Sequence, residues 1–356
     1  MLTVIIFIAL LAVLVLAHEF GHFYTAIKTG MQVDEFGFGF PPRAWSFIKN
    51  GVRYSINWLP LGGFVKIKGE DGSKRDEVGS FSSKKPWQRV LVLSAGVIMN
   101  LILAAVLLSV GFMFGLPQAI DGLTNENIRD RKVQIVSVLP DSPAAKADLK
   151  LGDEVVSFNG EKITTVEQLI SLTSSAIDTN VKIKIKRGQE ELEKEIGVIK
   201  LEETGKGGVG IGLLATGVVK YGFFTSIVKG VAATATMTWA IILGFLGMIK
   251  NLFTTGSVGV DVSGPVGIAV MTGQIAQLGF AYLIQFAAML SVNLAVINFL
   301  PFPALDGGRV LFVIIEKLRG KPMNDKTEGI AHAIGFLLLM LLIVFVTFKD
   351  IVRMFN

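Results

Sequence analysis

The chain has 356 residues, 51% of them hydrophobic and 18% charged, with a net charge of +5 and no cysteine. Soluble globular chains are about a quarter charged, so the deficit and the long apolar runs mark a membrane protein, and the modest basic excess points to topology rather than nucleic-acid binding. The lack of cysteine excludes disulfides, thiolate metal sites and a cysteine nucleophile.

Residues 1–29 open with an almost unbroken apolar run that ends in His18, Glu19 and His22, two of only three histidines in the chain. The start has no basic residues, and "LVLAHEFGHF" is a poor cleavage site. A retained transmembrane helix over 2–28 is therefore expected rather than a signal peptide. Residues 30–89 follow, where "GFGFPPRAWSFIKNGVRYSINWLPLGGFVKIKGED" alternates aromatic and β-branched residues with Gly and Pro, as strands and turns do. A second span is expected over 90–116, since about 20 apolar residues cross a bilayer.

Residues 119–204 read as a soluble α+β insert. "KVQIVSV" and "DEVVSFNG" look like strands, and "VKIKIKRGQEELEKEI" like a hairpin turning at Arg187–Gly188. "TVEQLISLTSSA" looks like a helix capped by Thr164 or Thr165. Residues 205–278 form a linker with a borderline apolar stretch near 225–250 that contains Lys229, and 279–356 hold the last two spans, near 279–304 and 329–348.

Lys and Arg crowd the loop from Lys28 to Arg89 and the one after Asp306. The positive-inside rule places both in the cytoplasm, with the N-terminus and the insert outside. If 225–250 crossed, Asp306 would lie on the membrane face opposite His18 and His22. The stretch is therefore expected to be an amphipathic, interfacial segment on the outer side, leaving four spans.

His-Glu-x-x-His on a helix puts two imidazoles on one face. His18 and His22 suit one Zn²⁺, with Glu19 as general base towards a water that the metal activates. A catalytic zinc needs a third protein ligand. It is His332, the remaining histidine, or a carboxylate, of which Asp306 in "NFLPFPALDGGR" is the best placed. It ends the third span at the depth where the first span carries its histidines, and ionisable groups there face a protein interior or a cavity. Pro301 and Pro303 break the helix just before it, as is tolerated in such places. The bland alternatives are a helix cap for Asp306 and a packing role for His332.

"HEFGH" near the end of the first span, "NFLPFPALDGG" in the pattern N-x-x-P-x-P-x-L-D-G, and the insert together resemble the site-2 protease family of zinc intramembrane metalloproteases, most closely the bacterial regulator of sigma-E protease branch. The resemblance spans nearly the whole chain. It implies His18, His22 and Asp306 as metal ligands and Glu19 as catalytic base. "GVIMN" matches a family motif that would make Asn100 a substrate-positioning residue, and Asn298, which opens the N-x-x-P motif, is a second such candidate. "GFGF…GGFVKI" resembles a membrane-reentrant β-hairpin, which could pair with an unwound substrate segment. "VLPDSPAAKADLKLGDEVVSFNGEKI" resembles a single PDZ domain of the bacterial protease type. "SGPVGI" is also family-like.

The fold expected is thus a polytopic α-helical membrane protein of four transmembrane helices, with a membrane-associated β-hairpin region and one soluble α+β PDZ-like domain. The activity implied is zinc-dependent hydrolysis of single-pass membrane proteins in a bacterial inner membrane, such as trimmed anti-sigma factors or remnant signal peptides. A non-catalytic adaptor that binds helices would have no need of Glu19 and a full ligand set. A metal transporter would carry several ligand clusters along a path.

Overall fold

The computed structural model describes residues 2–70, 72, 77–120, 128–188, 190–201, 205–256, 263–321 and 323–355. Within the expected insert and linker, 121–127, 189, 202–204 and 257–262 lie outside the described residues. The chain runs from α1 (Leu2–Lys28) through strands β1 (Val33–Lys49) and β2 (Val52–Ile67) to α2 (Pro86–Phe114). Then come β3 (Leu116–Ala119), β4 (Ile128–Val138), α3 (Pro143–Lys146), β5 (Glu154–Phe158), β6 (Glu161–Lys162) and α4 (Val166–Ser175). Next are β7 (Asn180–Arg187), β8 (Glu190–Gly197), β9 (Ile199–Lys200), β10 (Gly207–Gly208) and β11 (Ile211–Val219). Helices α5 (Phe223–Thr255), α6 (Pro265–Leu278), α7 (Phe280–Asn298), α8 (Asp306–Arg319) and α9 (Asp325–Phe355) complete it. The elements group into two compact units, one of 1–110, 227–276 and 283–356 and one of 111–226 and 277–282.

In the first unit, α1, α2, α7 and α9 meet the expected spans. Helix α7 stops at Asn298 rather than near 304, because Pro301 and Pro303 supply no N–H to continue the ladder. Length and composition give one candidate more than the four spans expected. Among the described residues five helices are long and apolar enough to cross a membrane, and the fifth is α5. Its Gly230 sits on Ser109 and Ala105 of α2, while Thr238 and Ile242 share a cavity with Ser94 to Leu101. It therefore runs lengthwise along α2. Helix α6 begins beside Asp350 of α9, and its Gly273 rests on Thr3 at the start of α1. The chain is thus back at the end of α1 far from His18 before α7 begins.

The same contact accounts for "SGPVGI". The Asp350 carboxylate, 6% exposed, accepts N–H bonds from Gly264 (3.2 Å) and Gly267 (2.7 Å) at the start of α6. A Cβ on Gly264 would stand 2.9 Å from that carboxylate and from Val346. Free N–H groups at a helix start favour an anion, and glycine lets α9 supply one at close range.

Strands β1 and β2 are long and bent and form one antiparallel sheet that turns at Asn50 and Gly51: residues 52–57 pair with 43–49 on one side and with 35–38 on the other, and 33–38 pair in turn with 63–67. Its base is held by a core that includes Ala26, Met31, Val33, Ile67, Phe81 and Val92. Its far part exposes Trp45, Phe47, Ile48, Ile56 and Trp58.

The second unit is built on an antiparallel sheet in the order β3-β11-β4-β5-β7-β8, with β6 paired to β5. Alternation puts Val181, Ile183 and Ile185 of β7 into a core with Val133, Ile135, Val155 and Leu169. The Thr165 hydroxyl caps α4 by accepting the Gln168 N–H at 3.2 Å. The β7–β8 hairpin turns at Gly188, and Arg187 at its tip forks onto buried Asp153 with two bonds of 2.8 Å.

Candidate metal centre

The i, i+4 spacing on α1 places both imidazoles on the face that α2 crosses, and both are buried. His22 Nδ1 donates to the Val92 carbonyl at 2.8 Å. A carbonyl only accepts, so this bond puts the proton of the neutral ring on Nδ1 and leaves the Nε2 lone pair free. His22 Nε2 and His18 Nε2 lie 3.1 Å apart, and Asp306 Oδ2 lies 3.3 Å and 3.0 Å from them respectively.

Asp306 arrives from the other end of the chain. It is the first residue of α8, where Leu305 holds the N-cap position, and its carboxylate bonds to His18. The two glycines after it let the first turn of α8 fold onto the preceding segment. A Cβ on Gly307 would stand 2.2 Å from the Phe299 carbonyl oxygen, and one on Gly308 2.2 Å from that of Phe302. The carboxylate is thereby aimed back at α1.

These three are the group of at least three His, Asp or Glu residues, among those described, whose donor atoms all lie within 4.8 Å of one another. Two nitrogen donors and one carboxylate oxygen match the ligand chemistry of catalytic zinc, which keeps one position open. The cluster also has a physical need for a cation. Three electron-rich atoms converge in a largely buried place, and His22 has already committed its proton elsewhere. His332 is not in the cluster; its Nδ1 accepts the Ala304 N–H at 2.9 Å.

Glu19 neighbours both histidines in sequence and is half-buried. Strand β2 passes beside it, since a Cβ on Gly63 would stand 3.2 Å from Glu19 Cγ. Asn298 lies at the end of α7, with Nδ2 3.4 Å from His18 Nε2. Asn100 is fully buried, its amide 3.3 Å from His18 Nδ1, and its backbone carbonyl accepts Ser291 Oγ–H at 2.8 Å. Of the two expected substrate-positioning residues, Asn298 thus borders the donor cluster and Asn100 backs it.

Gly96 and Val92 do work at this site that the sequence reading did not assign. A Cβ on Gly96 would stand 2.4 Å from His22 Nε2 and 2.7 Å from His18 Cε1. The glycine of "GVIMN" therefore makes room for the imidazoles rather than merely packing two helices. Its spacing from Asn100 was the available signal. Val92 offered none, because its contribution is a backbone carbonyl.

The chain is similar along nearly its whole length to known proteins. The pattern of peptidase family M50 matches residues 6–342. The regulator of sigma-W protease RasP of Bacillus subtilis is 32% identical, over 99% of this chain and 99% of that protein. The zinc metalloprotease RasP of Bacillus licheniformis is also 32% identical, again over 99% of each chain. Among solved structures, the PDZ domain of the SdrC-like protein of Listeria innocua is 30% identical, covering 23% of this chain and 92% of that one, with a TM-score of 0.22.

Proposed function

This chain belongs to peptidase family M50, the site-2 proteases, and is a zinc-dependent intramembrane metalloendopeptidase; from that premise we propose that it hydrolyses a peptide bond in or beside the membrane-spanning helix of single-pass proteins. The substrate class is anti-sigma factors already trimmed outside, or remnant signal peptides. RasP of Bacillus subtilis carries the name of a regulator of sigma-W protease, in keeping with the first. The observation that carries the reading is the convergence of His18, His22 and Asp306 with Glu19 one residue from His18.

His18, His22 and Asp306 would hold the zinc, which when bound supplies Lewis acidity to the scissile carbonyl and to water. Glu19 takes the proton of the attacking water and hands it to the leaving amine. Val92 fixes the His22 ring, and Asn298 orients the substrate backbone at the mouth of the cluster. A helix in lipid satisfies all its backbone groups internally, so it must unwind before attack. Among the described residues, 63–67 of β2 pair on one side only, with Val33–Phe38, so this part of β2 has an unpaired outer edge, and its Gly63 lies beside Glu19. An unwound segment adding to that edge would present its peptide bonds to the base.

An apolar cavity of about 470 Å³ between α2, α5 and α7 is lined by Val97, Ile98, Leu101, Ile242, Val296 and Phe299 among others. Val97 follows Gly96 in the chain, and Phe299 follows Asn298. The cavity suits a bulky apolar side chain of the substrate near the cut. The basic loops argue for an active site near the cytoplasmic side of a bacterial inner membrane, with the PDZ-like unit outside.

The test is cleavage of a tagged single-pass reporter in liposomes, offered with and without its outer domain, with product masses measured. Cuts inside or next to the apolar segment, faster after trimming, are expected. Cuts confined to a soluble part of the reporter would contradict the proposal.

A further inference from the structure

His332, the third histidine, sits 26 residues after Asp306 in sequence, on α9 and outside the donor cluster. It nevertheless touches the segment that delivers Asp306. Its Nδ1 accepts the Ala304 N–H at 2.9 Å. Ala304 has φ +78°, a left-handed conformation that costs a residue with a Cβ about 1–2 kcal/mol. Such a conformation persists only where its surroundings hold it. Here the holding group is visible. The chain leaves Pro303, turns through Ala304 and two residues later presents the carboxylate.

The ring itself is fixed. It stands edge-on to Phe312 of α8, with centroids 5.3 Å apart. One turn further along α9, Gly335 meets the same segment, where a Cβ would stand 2.3 Å from the Pro303 carbonyl oxygen. That glycine brings α9 close enough for His332 to reach Ala304. Because the amide donates, His332 Nδ1 must carry a lone pair, so its role is that of a hydrogen-bond acceptor.

We propose that His332 is a positioning residue for the metal centre, which by accepting the Ala304 N–H locks the left-handed turn that aims Asp306 at His18 and His22. The proposal rests on Asp306 being a zinc ligand. It assigns His332 no contact with metal or substrate.

Zinc affinity of the full chain in detergent, measured by competition with a chromogenic chelator, tests it without reference to activity. Removing an outer-shell partner of a metal site weakens binding about 10- to 100-fold, and His332→Ala should do the same. His332→Asn puts an oxygen where Nδ1 stood and should remain within about threefold of native, as its acceptor is kept. The decisive variant adds Ala304→Gly to His332→Ala. Glycine adopts positive φ freely, so the turn no longer needs its lock, and most of the affinity should return. Loss of general packing would not be rescued this way. Should His332→Ala fail to fold, His332→Leu, which fills the ring's space without an acceptor, takes its place against His332→Asn.

Asp306→Ala is measured alongside. Zinc lost with Asp306→Ala but retained with His332→Ala overturns the positioning role. Weak binding in His332→Ala that neither Asn nor Ala304→Gly repairs overturns it too. Zinc unchanged in Asp306→Ala removes the ligand reading on which the proposal stands.

Discussion

His18 Nε2 and Asp306 Oδ2 lie 3.0 Å apart although 288 residues separate them in sequence. Two local devices make that meeting. On α1, helical spacing stacks His18 on His22 and lets α2 approach at Gly96. At the other end, a proline-broken segment and two glycines turn the start of α8 back towards α1. Neither device makes a site alone.

Asp306→Ala should therefore cost zinc and activity together. Metal analysis of the purified variant is expected to find zinc well below the native stoichiometry. Full zinc occupancy would exclude Asp306 as a ligand.

Gly96→Ala tests the room left for the imidazoles. The added methyl would stand 2.4 Å from His22 Nε2, so a ring or the helix must shift. Zinc affinity should fall by at least about tenfold, a size typical of disturbed metal-site surroundings, with the helical circular dichroism retained. Native affinity in this variant would show that α2 does not close on the site.

The cavity between α2, α5 and α7 predicts a selectivity change. Ile98→Trp would fill much of its space of about 470 Å³. Reporters with Phe or Leu near the cut should lose about 10-fold or more in kcat/KM relative to ones with Ala there, the scale set by apolar pocket contacts. An equal loss for all reporters would mean that the cavity does not receive the substrate side chain.

Asp350→Ala removes two charge-assisted bonds to the start of α6 and leaves buried N–H groups unpaired. A destabilisation of about 1–3 kcal/mol is expected, read as a lower melting midpoint in detergent. An unchanged midpoint would mean that these bonds are not needed to hold α6.

Much of this site was legible in the sequence, and the reasons are physical. His18, Glu19 and His22 stand out because titratable groups at the end of an apolar run need a purpose. Asp306 stands out because prolines break a helix just before it. The strands and helix of the second unit follow from alternation and from the Thr165 cap. The path of α5 was not legible. Lys229 and the small polar residues lower its apolar signal, and its course along Ser94 to Ser109 of α2 is set by tertiary packing. The partners that orient the donors were hidden for a different reason. Val92 acts through its carbonyl and Ala304 through its φ angle, and neither property is written in a side chain.

The central claim is that Glu19 is the base of a zinc peptidase acting in the membrane. The most direct measurement compares the native chain with Glu19→Gln on a trimmed single-pass reporter in liposomes, with bound zinc quantified in both. The account predicts cleavage by the native chain, none detectable from Glu19→Gln, and equal zinc in the two. Equal cleavage by both at equal zinc would contradict it.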